Sequence, residues 1–392
     1  MRRAVRYVAG ASWLLALVAA CLCTLPAGHG VEARAARDYT FFVLSDIHVG
    51  AEDPKAKPPL SAAQTMERIR ARIDTMSSIV GRPYPPRGEV SSEKPGRVQS
   101  PRGIFILGDL TDGHKESGRE REQWSDFERL FPGAGWRWTG RMIPVFALAG
   151  NHDGFPAGPQ RQGLIERNRS LDRRGLLAAL SPNGVHFAIE WDGVHFVSLN
   201  LYPADATDRE HPFKYGQPES SRWNDPQSAL AFLRDYLSAR VGTSGQPVFV
   251  MHHYGFDDFS TNDWYWWTSR QRADLHRALA GYNVTAILHG HDHHADHYRW
   301  PDPSRHAADL EALFGAAPPE TYRQYDVISC GATAWVMRIA GNRLVAAHFA
   351  QTDWSTEATG AFVKSLGPDP HRSTARAARP AFLKGATAGH GQ

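Results

Sequence analysis

Apolar positions along the chain fall into two rhythms. Tyr39 to Leu44, Ile104 to Leu107, Val145 to Ala149, Val248 to Met251 and Thr285 to Leu288 are short unbroken apolar runs bounded by turn residues or proline, the pattern of strands buried on both faces. His186 to Trp191 and Val194 to Leu201, joined by Asp192-Gly193, predict a hairpin, and Trp335 to Ile339 and Leu344 to Phe349, joined around Gly341-Asn342, predict a second. Between the runs lie helical stretches. Ser61 and Gln64 form a capping box ahead of an amphipathic run to Val80, and Thr268 and Gln271 form another, closed by Gly281. Asp225-Pro226 predicts the start of a helix carrying Leu230, Leu233 and Leu237 on one face and ending at Gly242.

Three stretches stand outside this alternation. Residues 1–35 read as a secretion signal: Arg2, Arg3 and Arg6 precede an uncharged span that holds the apolar run Ala11 to Leu22 and is broken by Pro26 and Gly28. An uncleaved anchor is the alternative, and Val18-Ala19-Ala20-Cys21 also resembles a bacterial lipobox that would leave Cys21 lipidated. Arg82 to Pro101, rich in Pro, Gly, Ser and charge, reads as a long surface-loop insertion (82–101) within a catalytic domain expected to span 38–352. Pro368 to Gln392 lacks periodicity and reads as a disordered tail.

Composition narrows the classes. The chain has 392 residues, 42% hydrophobic and 22% charged, which is a globular composition. Its formal charge of +3 comes from 44 basic against 41 acidic residues, a balance that indicates no nucleic-acid partner. Five arginines (Arg2, Arg3, Arg6, Arg34 and Arg37) and Glu32 precede Asp38, so a chain beginning there carries −1, and the basicity belongs to the targeting segment. Three cysteines without C-x-x-C spacing give neither a disulfide framework nor a thiolate metal site, and Cys330 is expected in the core. Nineteen histidines call for a chemical explanation.

Those histidines gather with carboxylates at strand ends. Asp46 and His48 close the first run, and Asp109, followed by Asp112, closes the second. Asn151, His152 and Asp153 close the third, His252-His253 the fourth, and His289, His291 and His293 the fifth. Open α/β sheets gather ligands at the carboxyl ends of their strands. Imidazole, carboxylate and amide donors without thiolate suit Zn, Fe or Mn, and their number exceeds one tetrahedral site, which argues for two metals. Any one cluster alone is more often a turn and a cap; five at strand ends are not readily accidental.

The ordered set D-x-H, G-D, G-N-H-D, H, G-H-x-H resembles the calcineurin-like metallophosphoesterase superfamily over residues 39 to 350. The resemblance implies an α/β fold, a four-layer αββα sandwich, with two metal ions at the loops leaving the strands. By that likeness Asp46, His48 and His293 would hold one metal, Asn151, His291 and the histidine after the fourth strand the other, and Asp109 would bridge them. Neighbouring histidines on an extended chain point to opposite sides. Tyr254-Gly255 is similar to the H-Y turn of purple acid phosphatases, which would make His253 the ligand, whereas many relatives carry His-His-Pro and bind through the first. His152 would protonate the leaving oxygen or stabilise developing charge, with Asp153 orienting it. The implied activity is hydrolysis of phosphate monoesters by hydroxide held between the metals, with a phosphodiesterase acting on nucleotides or phospholipid headgroups as the alternative. The implied substrate is a small-molecule or lipid phosphoester, the location secreted or periplasmic, and any membrane contact runs through the N-terminal segment. A binding scaffold of the same descent would be expected to have lost several of these donors.

The 60 residues between His48 and Asp109 are a long first spacing, filled by the Pro-rich insertion. Trp264 to Trp267 follows the fourth cluster and reads either as a wall over the site or as a loop pinned into the core. His289, His294 and His297 are expected around the ligands or on a polar rim, and Asp112 either lines the site or turns the chain.

Overall fold

The computed structural model describes residues 37–52, 57–85, 96–113, 119–153, 158–207, 225–261, 266–331, 334–350, 353–356, 360–367 and 375–376. The expected signal segment lies outside them, as do the centre of the 82–101 insertion and most of 368–392. Among the described residues no helix is long and apolar enough to cross a membrane.

In chain order the first strands are β1 (Asp38–Leu44), β2 (Pro101–Leu107), β3 (Gly135–Trp138), β4 (Arg141–Leu148), β5 (Ala179–Leu180), β6 (Phe187–Trp191), β7 (Val194–Ser198), β8 (Val248–Met251) and β9 (Val284–His289). There follow β10 (Ala295–Trp300), β11 (Thr321–Tyr322), β12 (Tyr325–Cys330), β13 (Ala334–Ala340), β14 (Arg343–Ala350), β15 (Asp353–Trp354), β16 (Ala361–Ser365) and β17 (Ala375–Arg376). One sheet runs β15-β14-β13-β1-β2-β4-β3 with β16 on β14, and the other runs β10-β12-β9-β8-β7-β6-β5. Within them β1, β2 and β4 are parallel, as are β7, β8, β9 and β12.

The period-two rule sorts each central strand into two cores. Phe41, Val43, Phe105 and Leu107 face between the sheets and meet Phe196, Phe249 and Met251. Phe196 and Phe249 stack there at 4.9 Å with planes 8° apart. Phe42, Leu44, Ile104 and Ile106 face outward, against Met66, Ile69 and Ile73 of the helix Ala62–Ser77. On the far side Val248, Val250 and Ile287 pack against Leu230 and Leu233 of the helix Ala229–Tyr236 and Leu275 of the helix Ser269–Leu279. The architecture is therefore helix, sheet, sheet, helix: an αββα sandwich with a buried aromatic seam.

Both expected capping boxes form, at Ser61/Gln64 and Thr268/Gln271. Four local expectations need correction. The helix expected from Asp225-Pro226 begins at Ala229, because Gln227 and Ser228 take left-handed backbone (φ 57° and 63°). β7 stops at Ser198, since Asn200 turns the chain at φ 63°. The 82–101 insertion is not purely surface: Pro83 and Arg97 bridge its two ends, and Tyr84 and Val98 are buried. The sheet also continues past residue 352, because β16 pairs with β14 and Leu366 enters the seam. Within the expected tail, Ala375–Arg376 pairs with Thr321–Tyr322. Cys330 is a buried thiol in the seam.

Candidate metal centre

Parallel pairing brings the carboxyl ends of β1, β2 and β4 to one edge of the sandwich, where those of β8 and β9 arrive from the other sheet. The loops after β1 and β2 stay paired past the strands: Asp46 N–H donates to Gly108 O (3.1 Å) and His48 N–H to Asp109 O (2.9 Å). His291 N–H crosses from the other sheet to both oxygens of Asp46, at 3.1 Å each.

Two glycines make this approach possible. A Cβ on Gly290 would lie 1.8 Å from Ser45 Oγ and 2.7 Å from Asp46 Oδ2. One on Gly150 would lie 2.1 Å from Asp109 Oδ1. The glycines of G-N-H-D and G-H-x-H thus mark where backbone and carboxylate touch.

Four donors, Asp46, His48, Asp109 and His293, converge within 4.8 Å of one another, and Asp109, His253 and His291 form an adjoining group. Asp109 belongs to both. Asn151 joins the second group through Oδ1, 3.0 Å from His253 Nε2. His48 Nε2 stands 3.2 Å from His293 Nε2 and 3.6 Å from Asp109 Oδ2, and His293 Nε2 is 3.5 Å from Asp46 Oδ1. Neighbouring donors around a cation with bonds of about 2.1 Å stand about 3.0–3.4 Å apart, close to these spacings.

The chemistry of the donors also fits cations. His291 Nε2 is buried and has no hydrogen-bond partner among the described residues. His253 uses Nδ1 against Leu107 O at 2.7 Å, which fixes the ring and turns Nε2 toward Asp109. Burial opposes protonation of His48, but Asp112, Asp109 and Asp46 outweigh it and raise its pKa to about 9. Burial likewise opposes charge on His253, and Asp109 lifts it to about 9. The carboxylates that favour a positive charge on His48 and His253 would equally favour bound cations.

Backbone strain falls on the same residues. Asp46, His48, Asp109, His291 and His293 all have positive φ, from 49° to 76°. Each such residue costs about 1 kcal/mol or more and concentrates where geometry is functional. Asp46 and His48 therefore do not lie on an extended strand. Left-handed backbone at each of the two brings them together.

His253 reaches the donors, whereas His252 packs between Phe256 and Trp267, each ring 5.5 Å away. Asp153 is a correction. Its buried carboxylate accepts from the N–H groups of Leu110 (3.0 Å), Thr111 (2.8 Å) and Gly150 (2.8 Å), so it clasps the β2 loop to the β4 loop. The acid at His152 Nδ1 is Asp112, at 3.3 Å, which also stands 3.6 Å from His48 Nδ1. His152 N–H donates to Asp109 Oδ1 at 2.9 Å.

Asn200 is a site residue that sequence reading missed. Its Oδ1 accepts from Ala149 N–H at 2.8 Å and its carbonyl from His253 N–H at 2.9 Å, holding the β4 and β8 loops in place. An asparagine closing an apolar strand was the available signal. His289 is buried and lies 2.7 Å from Tyr298 Oη, His294 is exposed, and His297 Nε2 is 3.0 Å from Asp326. Trp266 lines the cavity over the donors and Trp267 is core, while Trp264 and Tyr265 lie outside the described residues.

A family model for calcineurin-like phosphoesterases matches residues 39–295. Among solved structures the chain is similar to GAP50, the anchor in the inner membrane complex of Plasmodium, at 11% identity and TM-score 0.41, covering 84% of this chain and 89% of that one. It is also similar to the calcineurin-like phosphoesterase YfkN from Bacillus subtilis, at 13% identity and TM-score 0.34, covering 87% and 93%. A third is TT1561 of Thermus thermophilus, at 10% identity and TM-score 0.34, covering 84% and 99%. No curated protein matches the chain.

Proposed function

The chain belongs to the calcineurin-like phosphoesterase family, a group of hydrolases acting on phosphoric ester bonds, and on that premise we propose that it hydrolyses phosphate monoesters with water at a two-metal centre. The observation that carries this reading is the convergence of Asp46, His48 and His293 on one side of Asp109, and of His253 and His291 on the other. Asn151 completes the second set. Mn, Fe or Zn suits these donors. Bound there, two cations would withdraw charge from the phosphoryl oxygens and acidify a water.

The remaining work falls to the chain. Asp109, pinned by His152 N–H, sits between the two donor groups and keeps them in register. Asp112 Oδ1, 3.3 Å from His152 Nδ1, orients the ring, whose Nε2 would give a proton to the departing alcohol oxygen. The half-exposed His293 side chain opens its donor group to the cavity from which substrate arrives. His152 and Asn151 line the cavity beside the metal donors, where they would meet the third terminal oxygen that a monoester offers and a diester lacks, and this supports monoesters over diesters.

The test is phosphate release from p-nitrophenyl phosphate against nitrophenol release from bis(p-nitrophenyl) phosphate by the Mn-loaded protein. The monoester should turn over faster; a faster diester reverses the assignment. The basic and apolar N-terminus supports export from the cytoplasm, and N-terminal sequencing of protein recovered outside the cytoplasm checks it.

A further inference from the structure

Above the metal donors lies a cavity of 740 Å³ whose wall is aromatic and whose rim is acidic. Phe259 is 56% exposed, although phenylalanine is ordinarily buried. Its exposure is built in: Asp257 Oδ1 accepts from the N–H groups of Phe259 and Ser260 at 2.9 Å each, holding the turn that lifts the ring into the opening. Phe259 stands 5.0 Å from the His291 ring, and Trp266 meets His291 edge-on at 4.3 Å. Asp257, Asp258, Asp292 and Asp296 also line the cavity, against the Arg305 guanidinium, laid on the Tyr298 ring at 5.0 Å. A cation-binding floor therefore faces an anionic, aromatic rim.

We propose, on the basis of the phosphatase reading above, that this pocket selects phosphate monoesters of alkylammonium alcohols, with phosphate at the metal donors and ammonium against Phe259, Trp266 and Asp258. A quaternary ammonium is attracted to aromatic faces and to carboxylates at once, whereas a second phosphate would meet four carboxylates. The reaction is a simple hydrolysis. Water oxygen bonds to phosphorus, the bond from phosphorus to the alcohol oxygen breaks, and that oxygen takes a proton from His152, which a proton of the attacking water replaces, giving the ammonium alcohol and inorganic phosphate.

The experiment compares phosphate release from phosphocholine and from 3,3-dimethylbutyl phosphate, which replaces the ammonium nitrogen with carbon. p-Nitrophenyl phosphate serves as the cation-free reference. We expect kcat/KM for phosphocholine to exceed that for its neutral isostere by about tenfold. That ratio should fall toward one in Phe259→Ala and in Asp258→Asn, both at exposed positions. A wild-type ratio of about one, or a ratio unmoved in both variants, overturns the inference while p-nitrophenyl phosphate is still hydrolysed. Absence of turnover on all three substrates overturns the phosphatase reading as well.

Discussion

The backbone N–H of His291 donates to both carboxylate oxygens of Asp46, 3.1 Å to each, across 245 residues of sequence. This contact ties the last metal-donor loop to the first and therefore one sheet to the other. It depends on Gly290, whose missing Cβ leaves room for Ser45 and Asp46.

Gly290→Ala should accordingly displace Asp46 without unfolding the sandwich. We expect metal content to fall from two ions toward one per chain, and phosphoesterase activity to fall about 100-fold, a cost typical of angstrom-scale misplacement. Metal analysis alongside circular dichroism separates this from global unfolding, and full metal content in the variant would contradict it.

Asp112→Asn should act on His152 and its proton, not on the fold. With Asp112 beside His152 Nδ1, loss of the charge should lower kcat about 100-fold for an alkyl phosphate, which needs its leaving oxygen protonated. The loss should be much smaller for p-nitrophenyl phosphate, whose leaving group departs as an anion. Equal losses on both substrates would remove general acid catalysis from the pair's role. A metal assay run in parallel reports on His48, which Asp112 also approaches.

Asp153→Ala predicts a stability defect. Removal of this carboxylate leaves the buried N–H groups of Leu110, Thr111 and Gly150 unsatisfied, at about 1–3 kcal/mol per group before relaxation or water entry. The expected loss is about 2–4 kcal/mol, read from the urea midpoint of the metal-free protein. An unchanged midpoint would return Asp153 to a role confined to catalysis.

Much of the centre was legible because its chemistry sits at strand ends, where an apolar run stops and a polar residue must have a reason. Asp46, His48, Asp109, Asn151, His291 and His293 could be named that way. Adjacent His252 and His253 could not be separated by a rule of alternation alone. The distinction lies in Leu107 O, which receives His253 Nδ1 from 146 residues away. Asp153 was misread because an acid beside a histidine in sequence suggests a pair, while the fold delivers Asp112 to that position. β10 was missed since Ala295–Trp300 alternates polar and aromatic residues that only pairing with β12 makes a strand. β16 was missed for a similar reason, its lysine being buried against Asp326.

Acid should weaken the fold through a group remote from the centre. Burial pushes the His186 pKa down from 6.5 to about 4, and nearby Arg161 adds to the effect. Between those values the unfolded chain binds a proton that the folded one refuses, so stability falls as pH drops from 6.5 toward 4. The full difference corresponds to about 3 kcal/mol. His186→Phe should flatten that part of the profile; an unaltered slope would assign the acid sensitivity to other buried groups.

The central claim is that Asp109 joins two metal ions into one hydrolytic centre, and metal titration with activity measured on the same samples tests it most directly. Metal-stripped wild-type protein titrated with Mn(II) should bind two equivalents, with hydrolysis of p-nitrophenyl phosphate appearing as the second ion binds. Asp109→Asn should lose at least one equivalent and nearly all turnover. Hydrolysis that survives complete metal removal, or two equivalents and full activity in Asp109→Asn, would contradict the account.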